Sequence, residues 1–289
     1  MGERSLVGCR ILITGAAGAF GAAASAALRQ RGAHVAGLDV APVGDVIPCD
    51  ITDEESVREG VAAAVERLGG LDAVVSNAGI GLPADSGGPV DDAVRRTVEV
   101  NLLGGWRITA AALPELLRSR DPRAVFVSSG LAFVTVPFAS AYVVTKRGLS
   151  AYADCLRIEY GKRLKVTTVY PGYVRTPIHD ASRRAGLSLE GKVPAEREKH
   201  VVNTLVRTLA AHRPPRDTGT TWWGGACIRL ARMFPKSADR IVLLRHRYDV
   251  SRGHYDSVPL AQQMLRAAQR NPSPERNREF PPPERTSSR

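Results

Sequence analysis

Thr14-Gly15-Ala16-Ala17-Gly18-Ala19-Phe20-Gly21 follows a short apolar run, residues 10–13, and opens a segment of helical period. Small residues at these positions let the backbone approach an anion, and a helix start offers free N–H groups and a positive dipole end. A strand, a glycine loop and a helix in this order predict a site for the pyrophosphate of a dinucleotide. The alternative interpretation is a glycine-rich turn that serves only tight packing.

The first 180 residues alternate apolar runs with longer helical stretches, which is typical of a parallel sheet covered on both faces. The predicted strands are residues 10–13, 34–38, 46–48, 73–76, 124–128 and 165–169. The predicted helices are residues 19–31, 53–68, 91–118 and 141–162, and Thr52 with Glu55 resembles a capping box at the second. We therefore predict an α/β fold with a Rossmann-type doubly wound parallel sheet.

Beyond Pro171 the strand signal fades, and helical patterns follow at about residues 195–211, 227–234 and 238–247. We interpret residues 1–270 as a single domain, in which 1–180 form the cofactor and catalytic core. Residues 181–270 form a substrate lid and a helical C-terminal extension. Residues 271–289 are rich in Pro, Arg, Glu and Ser and hold one bulky apolar residue, Phe280, so we expect a disordered tail.

Two acidic residues follow the second and third predicted strands. Asp39 comes 18 residues after Gly21, close to the offset at which a carboxylate binds the adenosine ribose and repels a 2′-phosphate. We therefore expect NAD rather than NADP, although Asp39 could also be only a turn residue ahead of Pro42. Asp50 could contact the adenine or begin the turn into the second helix.

Tyr142 and Lys146 begin the fourth predicted helix four positions apart, so they share one face. A fixed ammonium beside a phenol lowers the pKa of the tyrosine, which can then act as a general acid and base. Ser129 lies 13 residues before Tyr142, at the carboxyl end of a strand, where its hydroxyl can hold a substrate oxygen. This arrangement predicts oxidation of an alcohol or reduction of a carbonyl group.

These motifs together resemble the short-chain dehydrogenase/reductase family over about residues 8–180. Ser76-Asn77-Ala78-Gly79 resembles the segment after the fourth strand of the family, and Tyr170-Pro171-Gly172 with Thr176 resembles its nicotinamide loop. The resemblance implies a catalytic set of Asn101, Ser129, Tyr142 and Lys146, with Asn101 holding a proton-relay water against the lysine. The glycine loop and the resemblance together imply cofactor contacts from Thr14, Gly15, Gly18, Ala19, Phe20, Gly21, Asp39, Asp50, Ile51, Asn77, Ala78, Gly79, Tyr142, Lys146, Pro171, Gly172, Val174 and Thr176.

Two features depart from the commonest family pattern. Ala19 takes the place of a loop glycine, and its side chain is small enough for binding to survive. The segment Trp222-Trp223-Gly224-Gly225, followed by an arginine-rich stretch, replaces the usual closing strand and is more similar to relatives that act on steroids, retinoids and other lipids. We expect the substrate pocket to be lined by Leu131, Phe133, Phe138, Tyr173 and Ile178.

These side chains are largely apolar, so the sequence favours a hydrophobic secondary alcohol or its ketone as the substrate. The alternative interpretation is that Phe133, Phe138 and Ile178 are core residues that do not contact substrate. Fold similarity alone carries no information about the substrate.

Charge is divided unevenly along the 289 residues. Residues 1–180 hold 19 basic and 19 acidic side chains, whereas residues 181–289 hold 21 and 10 and so supply the whole net charge of +11. A basic region can attract anionic lipid, acidic substrates or nucleic acid, or can simply be a solvated surface. Between residues 228 and 247 basic and apolar side chains alternate as in a helix lying on a membrane, so peripheral contact is one expectation.

The cysteines are widely spaced, with no CxxC pair, and we find no targeting segment or membrane span. A cytoplasmic protein, with possible peripheral contact at a membrane surface, is therefore expected. The family resemblance implies a homodimer or homotetramer that packs through the predicted helices 91–118 and 141–162.

A different class of function is a non-catalytic dinucleotide-binding redox sensor, which the basic C-terminal half favours. Such a sensor would not need Ser129, Tyr142 and Lys146 together. No helix-turn-helix or RNA-binding signature is present, so we expect no nucleic-acid partner. A serine hydrolase lacks its GxSxG motif here, and the histidines show no metal-ligand spacing, so no metal is expected.

Overall fold

Short apolar runs form a sheet of seven parallel strands in the computed structural model, which describes residues 3–270. The strands are β1 (Arg10–Thr14), β2 (His34–Asp39), β3 (Ile47–Pro48), β4 (Ala73–Ser76), β5 (Arg123–Val127), β6 (Lys165–Tyr170), β7 (Tyr173–Val174), β8 (Ala195–Glu196) and β9 (Asp217–Gly219). The spatial order is β3-β2-β1-β4-β5-β6-β9, and β7 pairs separately with β8. Strand order reverses between β1 and β4, which places a crevice outside the carboxyl ends of these two strands.

Helices cover both faces of this sheet. They are α1 (Ala19–Gln30), α2 (Glu54–Leu68), α3 (Asp92–Val98), α4 (Gly105–Leu116), α5 (Ser140–Tyr160), α6 (Asp180–Arg184), α7 (Glu198–Ala210), α8 (Trp222–Met233), α9 (Pro235–Ser251) and α10 (Gln262–Arg270). Successive side chains of β1 point to opposite faces of the sheet. Ile11 and Ile13 therefore pack with α1 and α7, while Leu12 packs with α2, α4 and α5. The predicted fold class, including the helical C-terminal extension, is confirmed.

The sheet has a closing strand that the sequence did not predict. β9 pairs in parallel with β6, with Thr168 opposite Asp217 and Tyr170 opposite Gly219. Its three residues, Asp-Thr-Gly, carry no large apolar side chain, so they give no strand signal. The chain therefore does close its sheet with a short strand, directly before the tryptophan pair of α8.

The cap of α2 and the continuity of the predicted helix 91–118 also differ from the prediction. The N-cap of α2 is Asp53, whose carboxylate accepts a hydrogen bond from Ser56 N at 2.7 Å. Thr52 cannot serve as this cap because its own N–H and hydroxyl donate to Asp50 at 2.9 and 2.7 Å. The predicted helix 91–118 is interrupted by a π-helical turn, Glu99–Gly104, which joins α3 to α4.

Within residues 3–270, no helix combines the length and apolar character that crossing a bilayer requires. The disordered tail expected for residues 271–289 lies outside the described residues.

Adding one methyl group in the glycine loop tests how tightly this loop packs. A Cβ on Gly21 would overlap the Gly15 carbonyl oxygen and come within 2.8 Å of Ala16 Cα, whereas a Cβ on Gly225 would meet nothing closer than 3.7 Å. Both glycines lie inside helices. We expect Gly21→Ala to lower the free energy of unfolding by about 1–3 kcal/mol through overpacking. Gly225→Ala should leave it unchanged or raise it by up to about 1 kcal/mol.

Urea unfolding of both variants followed by circular dichroism measures this difference. Equal effects of the two substitutions would show that the loop can relax around Gly21.

Candidate active site

The ends of β1 and β4 are held together at the crevice by Thr14 and Asn77. The Thr14 hydroxyl accepts hydrogen bonds from the backbone N–H groups of Asn77 and Ala78 at 3.0 and 3.1 Å. In return, the Asn77 amide donates to the Thr14 carbonyl at 2.9 Å. These bonds satisfy groups that the separating strands leave unpaired, and they fix the mouth of the crevice.

The glycine loop forms an anion cradle at this mouth. Gly15 has φ +66°, which strains a residue with a side chain, and a Cβ there would lie 2.9 Å from Ala78 Cα. Among the described residues, α1 has no side-chain cap at Gly18 and no acidic residue in its first turn. Its N–H groups are therefore open to an anion, and this geometry fits the pyrophosphate of a dinucleotide.

A groove of about 560 Å³ runs from this cradle past the ends of β2 and β3. Most of the predicted cofactor residues line it, namely Gly15, Gly18, Ala19, Phe20, Asp39, Asp50, Ile51, Asn77, Ala78, Gly79 and Thr176. Thr14 and Gly21 support the loop instead: Thr14 bonds to Asn77, and Gly21 packs closely against Gly15. The sequence analysis missed Arg96 and Arg184, two exposed cations on the groove wall.

The two acidic residues of the groove differ in their surroundings. Asp39 accepts hydrogen bonds from Ala17 N at 2.9 Å and Ala41 N at 3.0 Å, which hold its carboxylate at the groove beside the glycine loop. Asp50 accepts from the backbone and hydroxyl of Thr52, and these bonds lower the pKa of Asp50. Asp50 thus begins the turn into α2 and also lines the groove.

Ser129, Tyr142 and Lys146 line a second cavity, of about 340 Å³. β5 ends just before Ser129, and the first two turns of α5 carry the tyrosine and the lysine. Lys146 is 3% exposed, and its Nζ donates to the Val127 carbonyl at 3.0 Å and lies 5.7 Å from the centre of the Tyr142 ring. The three residues proposed from spacing are therefore brought together.

Burial shifts the pKa values of the tyrosine and the lysine in opposite directions. Desolvation raises the pKa of Tyr142, opposed by a hydrogen bond with Ser129. Desolvation lowers the pKa of Lys146 to about 8. In the chain alone, the tyrosine pKa is thus raised, not lowered by the lysine as the spacing predicted, because burial dominates over the ammonium nearby.

Asn101 lies in the π-helical turn and connects the loop after β4 to α5. Its side chain accepts from Ile80 N at 2.8 Å and donates to the Ile80 carbonyl at 2.9 Å and to Thr145 Oγ1 at 3.3 Å. A Cβ on Gly79 would lie 3.2 Å from Lys146 Nζ and 3.3 Å from Asn101 Oδ1. Asn101 and Lys146 therefore converge on Gly79, which also lines both the groove and the cavity.

Three of the five predicted pocket residues, Leu131, Tyr173 and Ile178, line the main cavity, as do Pro171, Gly172, Val174 and Thr176. Phe133 instead packs against Tyr170, with ring centres 5.4 Å apart, and beneath the guanidinium of Arg232. Phe138 packs against Tyr255 and lines only a small recess of about 50 Å³ next to Tyr142. Phe133 and Phe138 thus pack mainly against other aromatic residues, and Phe138 also borders a recess that shares Leu131, Tyr142 and Ile178 with the cavity.

The opposite wall of the cavity comes from His179 and from residues 189–228, part of the segment predicted as a lid, although the sequence did not identify its individual residues. It includes His179, Leu189, Val193, Glu196, Trp223 and Ile228. Glu196 accepts hydrogen bonds from the hydroxyls of Thr220 and Thr221, the latter at 3.0 Å. Burial lowers the pKa of His179, so this wall presents a neutral imidazole. Trp223 and Ile228 lie on α8, and β7–β8 pairing together with the bonds from Thr220 and Thr221 holds Glu196 at the site.

Comparison with known proteins agrees with this architecture. A profile described as short chain dehydrogenase matches residues 10–186. Oxidoreductase UcpA of Escherichia coli K12 is 30% identical over 195 residues, which cover 62% of this chain and 74% of that protein. Dehydrogenase/reductase SDR family member 7B of Mus musculus is 29% identical over 170 residues, which cover 55% of this chain and 53% of that protein.

Solved structures show the same fold. The ligand-free aldohexose dehydrogenase of Thermoplasma acidophilum has a TM-score of 0.67 and 25% identity, covering 79% of this chain and 97% of that one. A short chain dehydrogenase from Mycobacterium paratuberculosis bound to NAD has a TM-score of 0.65 and 22% identity, covering 74% of this chain and 97% of that one. Together with the profile match, these findings confirm the resemblance seen in the motifs: the chain belongs to the short-chain dehydrogenase/reductase family of oxidoreductases.

Proposed function

We propose that this protein is an NAD(H)-dependent oxidoreductase that interconverts a hydrophobic secondary alcohol and its ketone. The observation that carries the proposal is that Ser129, Tyr142 and Lys146 share one cavity with the end of the dinucleotide groove. Phe20, Asn77, Gly79, Thr176 and Ile178 line both spaces, so a ligand in the groove would meet a ligand in the cavity. We also propose the division into a core up to residue 180 and a substrate lid beyond it.

The groove fits a nicotinamide dinucleotide through its anion cradle and the carboxylate of Asp39. Two structural neighbours support the same cofactor class, the Mycobacterium paratuberculosis dehydrogenase bound to NAD and a 3-ketoacyl-(acyl-carrier-protein) reductase from Brucella melitensis complexed with NADH. When bound, such a dinucleotide supplies the hydride acceptor or donor and, when oxidised, a positive charge beside the phenol. Pro171, Gly172, Val174 and Thr176 would hold its nicotinamide end.

The roles of the catalytic residues follow from their surroundings. The Ser129 hydroxyl holds the substrate oxygen, and the phenol of Tyr142 takes a proton from an alcohol or returns one to a carbonyl. Lys146, held by the Val127 carbonyl, is placed to bind the cofactor ribose and to favour the phenolate. Asn101 joins Ile80, in the loop after β4, to Thr145 on α5, and so positions the adjacent Lys146.

The cavity itself favours an apolar substrate. Leu131, Val134, Ile178, Leu189, Val193, Trp223 and Ile228 supply most of its wall. Ser129 and Tyr142 supply hydroxyls to the same wall, and His179 and Glu196 add further polar groups. Burial of apolar substrate surface stabilises binding by about 25 cal/mol per Å², so a long apolar alcohol should bind more tightly than a short polar one.

Substitution of Tyr142 tests the enzyme assignment. With NAD present, wild-type protein should oxidise members of a panel of secondary alcohols, with long apolar ones preferred in kcat/KM. Tyr142→Phe should lower kcat by about 10²–10⁴-fold, because the general acid–base group is lost, while NAD binding measured by calorimetry persists. The control is Tyr160→Phe on α5, outside the cavity.

Preference for short polar alcohols would contradict the apolar cavity. Tight NAD binding with no turnover of any alcohol or ketone by the wild type would instead support the dinucleotide-sensing alternative.

Replacement of Asp39 tests the choice between NAD and NADP. We expect Asp39→Ser to change the ratio of the Kd values for NAD and NADP by about tenfold or more in favour of NADP, because a like-charge contact with the 2′-phosphate is removed. Asp45→Ser is the control, since Asp45 is an exposed acidic residue paired with Arg29 outside the groove. The ratio of the Kd values is informative because a loosened glycine loop would weaken the binding of both dinucleotides. An unchanged ratio would contradict the proposed role of Asp39.

The buried lysine predicts a pH dependence of stability. The pKa of Lys146 is about 8 in the folded chain against 10.5 for the free side chain, so between these values the unfolded state binds more protons. The contribution of Lys146 to the free energy of unfolding should therefore rise with pH in this window, by up to about 3 kcal/mol, and the comparison with a variant isolates it from the buried tyrosines and cysteines that titrate nearby. Lys146→Met should remove this contribution, whereas Lys162→Met, at an exposed site, should not. Urea unfolding at pH values from 7 to 10.5 gives the comparison; parallel curves for wild type and Lys146→Met would contradict it.

A further inference from the structure

α8 has two distinct faces. Trp223, Cys227 and Ile228 line the catalytic cavity. Trp222 is 87% exposed and Met233 68% exposed on the outer side, with Leu230 between them at 56%. An indole and a thioether in contact with water are unusual for a helix that already has a buried face, and an apolar surface of this kind marks an interaction site.

α9 follows α8 after a single residue and also exposes apolar side chains. Val242, His246 and Val250 are partly covered, and among the described residues of α9 only Asp249 is buried. Ile241 and Leu244 are exposed by 68% and 56% on the other side of the helix. Phe234, 54% exposed, lies at the corner where α8 turns into α9. Apolar side chains are thus presented along both helices and at the junction that joins them.

Basic side chains border these apolar residues. Arg229, Lys236 and Arg240 are exposed and, among residues 3–270, have no ion-pair or hydrogen-bond partner. The acidic residues of α9 offset them little, because Asp249 is buried and paired with Lys192 and Arg245, which leaves Asp239 at the surface. The outer side of α8 and α9 is therefore apolar and positively charged at once.

We propose that the outer side of α8 and α9 docks on an anionic lipid surface. Tryptophan, methionine and phenylalanine side chains favour the boundary between headgroups and acyl chains, while arginine and lysine bind the phosphate groups above it. Helices of 12 and 17 residues are about 18 and 25 Å long, which is enough to lie across several lipid headgroups.

A second copy of the chain fits this surface less well. In a twofold dimer the same patch faces itself, so the unpaired cations of one copy would approach those of the other. An anionic bilayer offers the opposite charge together with an apolar interior. Charge complementarity therefore selects lipid as the partner.

Sedimentation with vesicles tests the proposal on the full chain. We expect binding to phosphatidylcholine vesicles that contain phosphatidylglycerol, loss of this binding at high salt, and much weaker binding to phosphatidylcholine alone. The triple variant Arg229→Gln, Lys236→Gln, Arg240→Gln should bind the anionic vesicles about 100-fold more weakly, from about 1 kcal/mol per cation. The matched control is Arg95→Gln, Arg163→Gln, Arg213→Gln, which removes three exposed cations elsewhere and should bind like the wild type.

Apolar contact is tested separately. Met233→Ser, Ile241→Ser, Leu244→Ser should also weaken binding, whereas Val43→Ser, Val90→Ser, Ile158→Ser, at equally exposed sites, should not. Absence of sedimentation, equal binding to neutral vesicles, or equal loss in the two charge variants would overturn the proposal. So would a smaller species in analytical ultracentrifugation of the Met233, Ile241, Leu244 variant without lipid, because the face would then join two copies. None of these outcomes depends on turnover, so the result stands apart from the proposed enzymatic function.

Discussion

The close approach of the loops after β1 and β4 is the constraint on which the site depends. Thr14 and Asn77 hold these loops together by reciprocal hydrogen bonds, and Gly15 permits the contact because no side chain stands between it and Ala78. Where the strand order reverses, adjacent loops would otherwise separate and expose their backbone groups. The same contact opens the start of α1 to the groove and places Gly79 against Lys146.

Burial then controls the chemistry of that lysine and of Tyr142. Desolvation disfavours the charged form of each group, so the pKa of the phenol rises while the pKa of the ammonium falls. At neutral pH the phenol is therefore uncharged, whereas the ammonium of Lys146, with a pKa of about 8, stays mostly protonated. Lowering the pKa of the tyrosine therefore needs a positive charge in addition to that of Lys146, such as the charge an oxidised dinucleotide would bring, and proton transfer would then depend on a filled site.

The sequence could predict those parts of the molecule that local pattern controls. Short apolar runs between helical stretches located six strands of the sheet. The spacing of Tyr142, Lys146 and Ser129 located residues that meet in one cavity. It could not predict β9, whose Asp-Thr-Gly residues pair with β6 but carry no large apolar side chain. Nor could it predict that Phe133 and Phe138 turn toward Tyr170 and Tyr255, or that Glu196 and Trp223 reach the cavity, because such contacts arise between segments distant in sequence.

The opposite wall of the cavity has a consequence for how this protein can change. Leu189, Val193, Glu196, Trp223 and Ile228 all lie C-terminal to the residues that the family profile matches, and they make none of the hydrogen bonds that hold Thr14, Asn77 or Asn101. Mutation there can alter the shape offered to a substrate while the nucleotide groove and the proton-transfer residues stay intact. Selection on new substrates can therefore act on one segment of the gene, and laboratory evolution of this protein would best confine its mutations to the same segment.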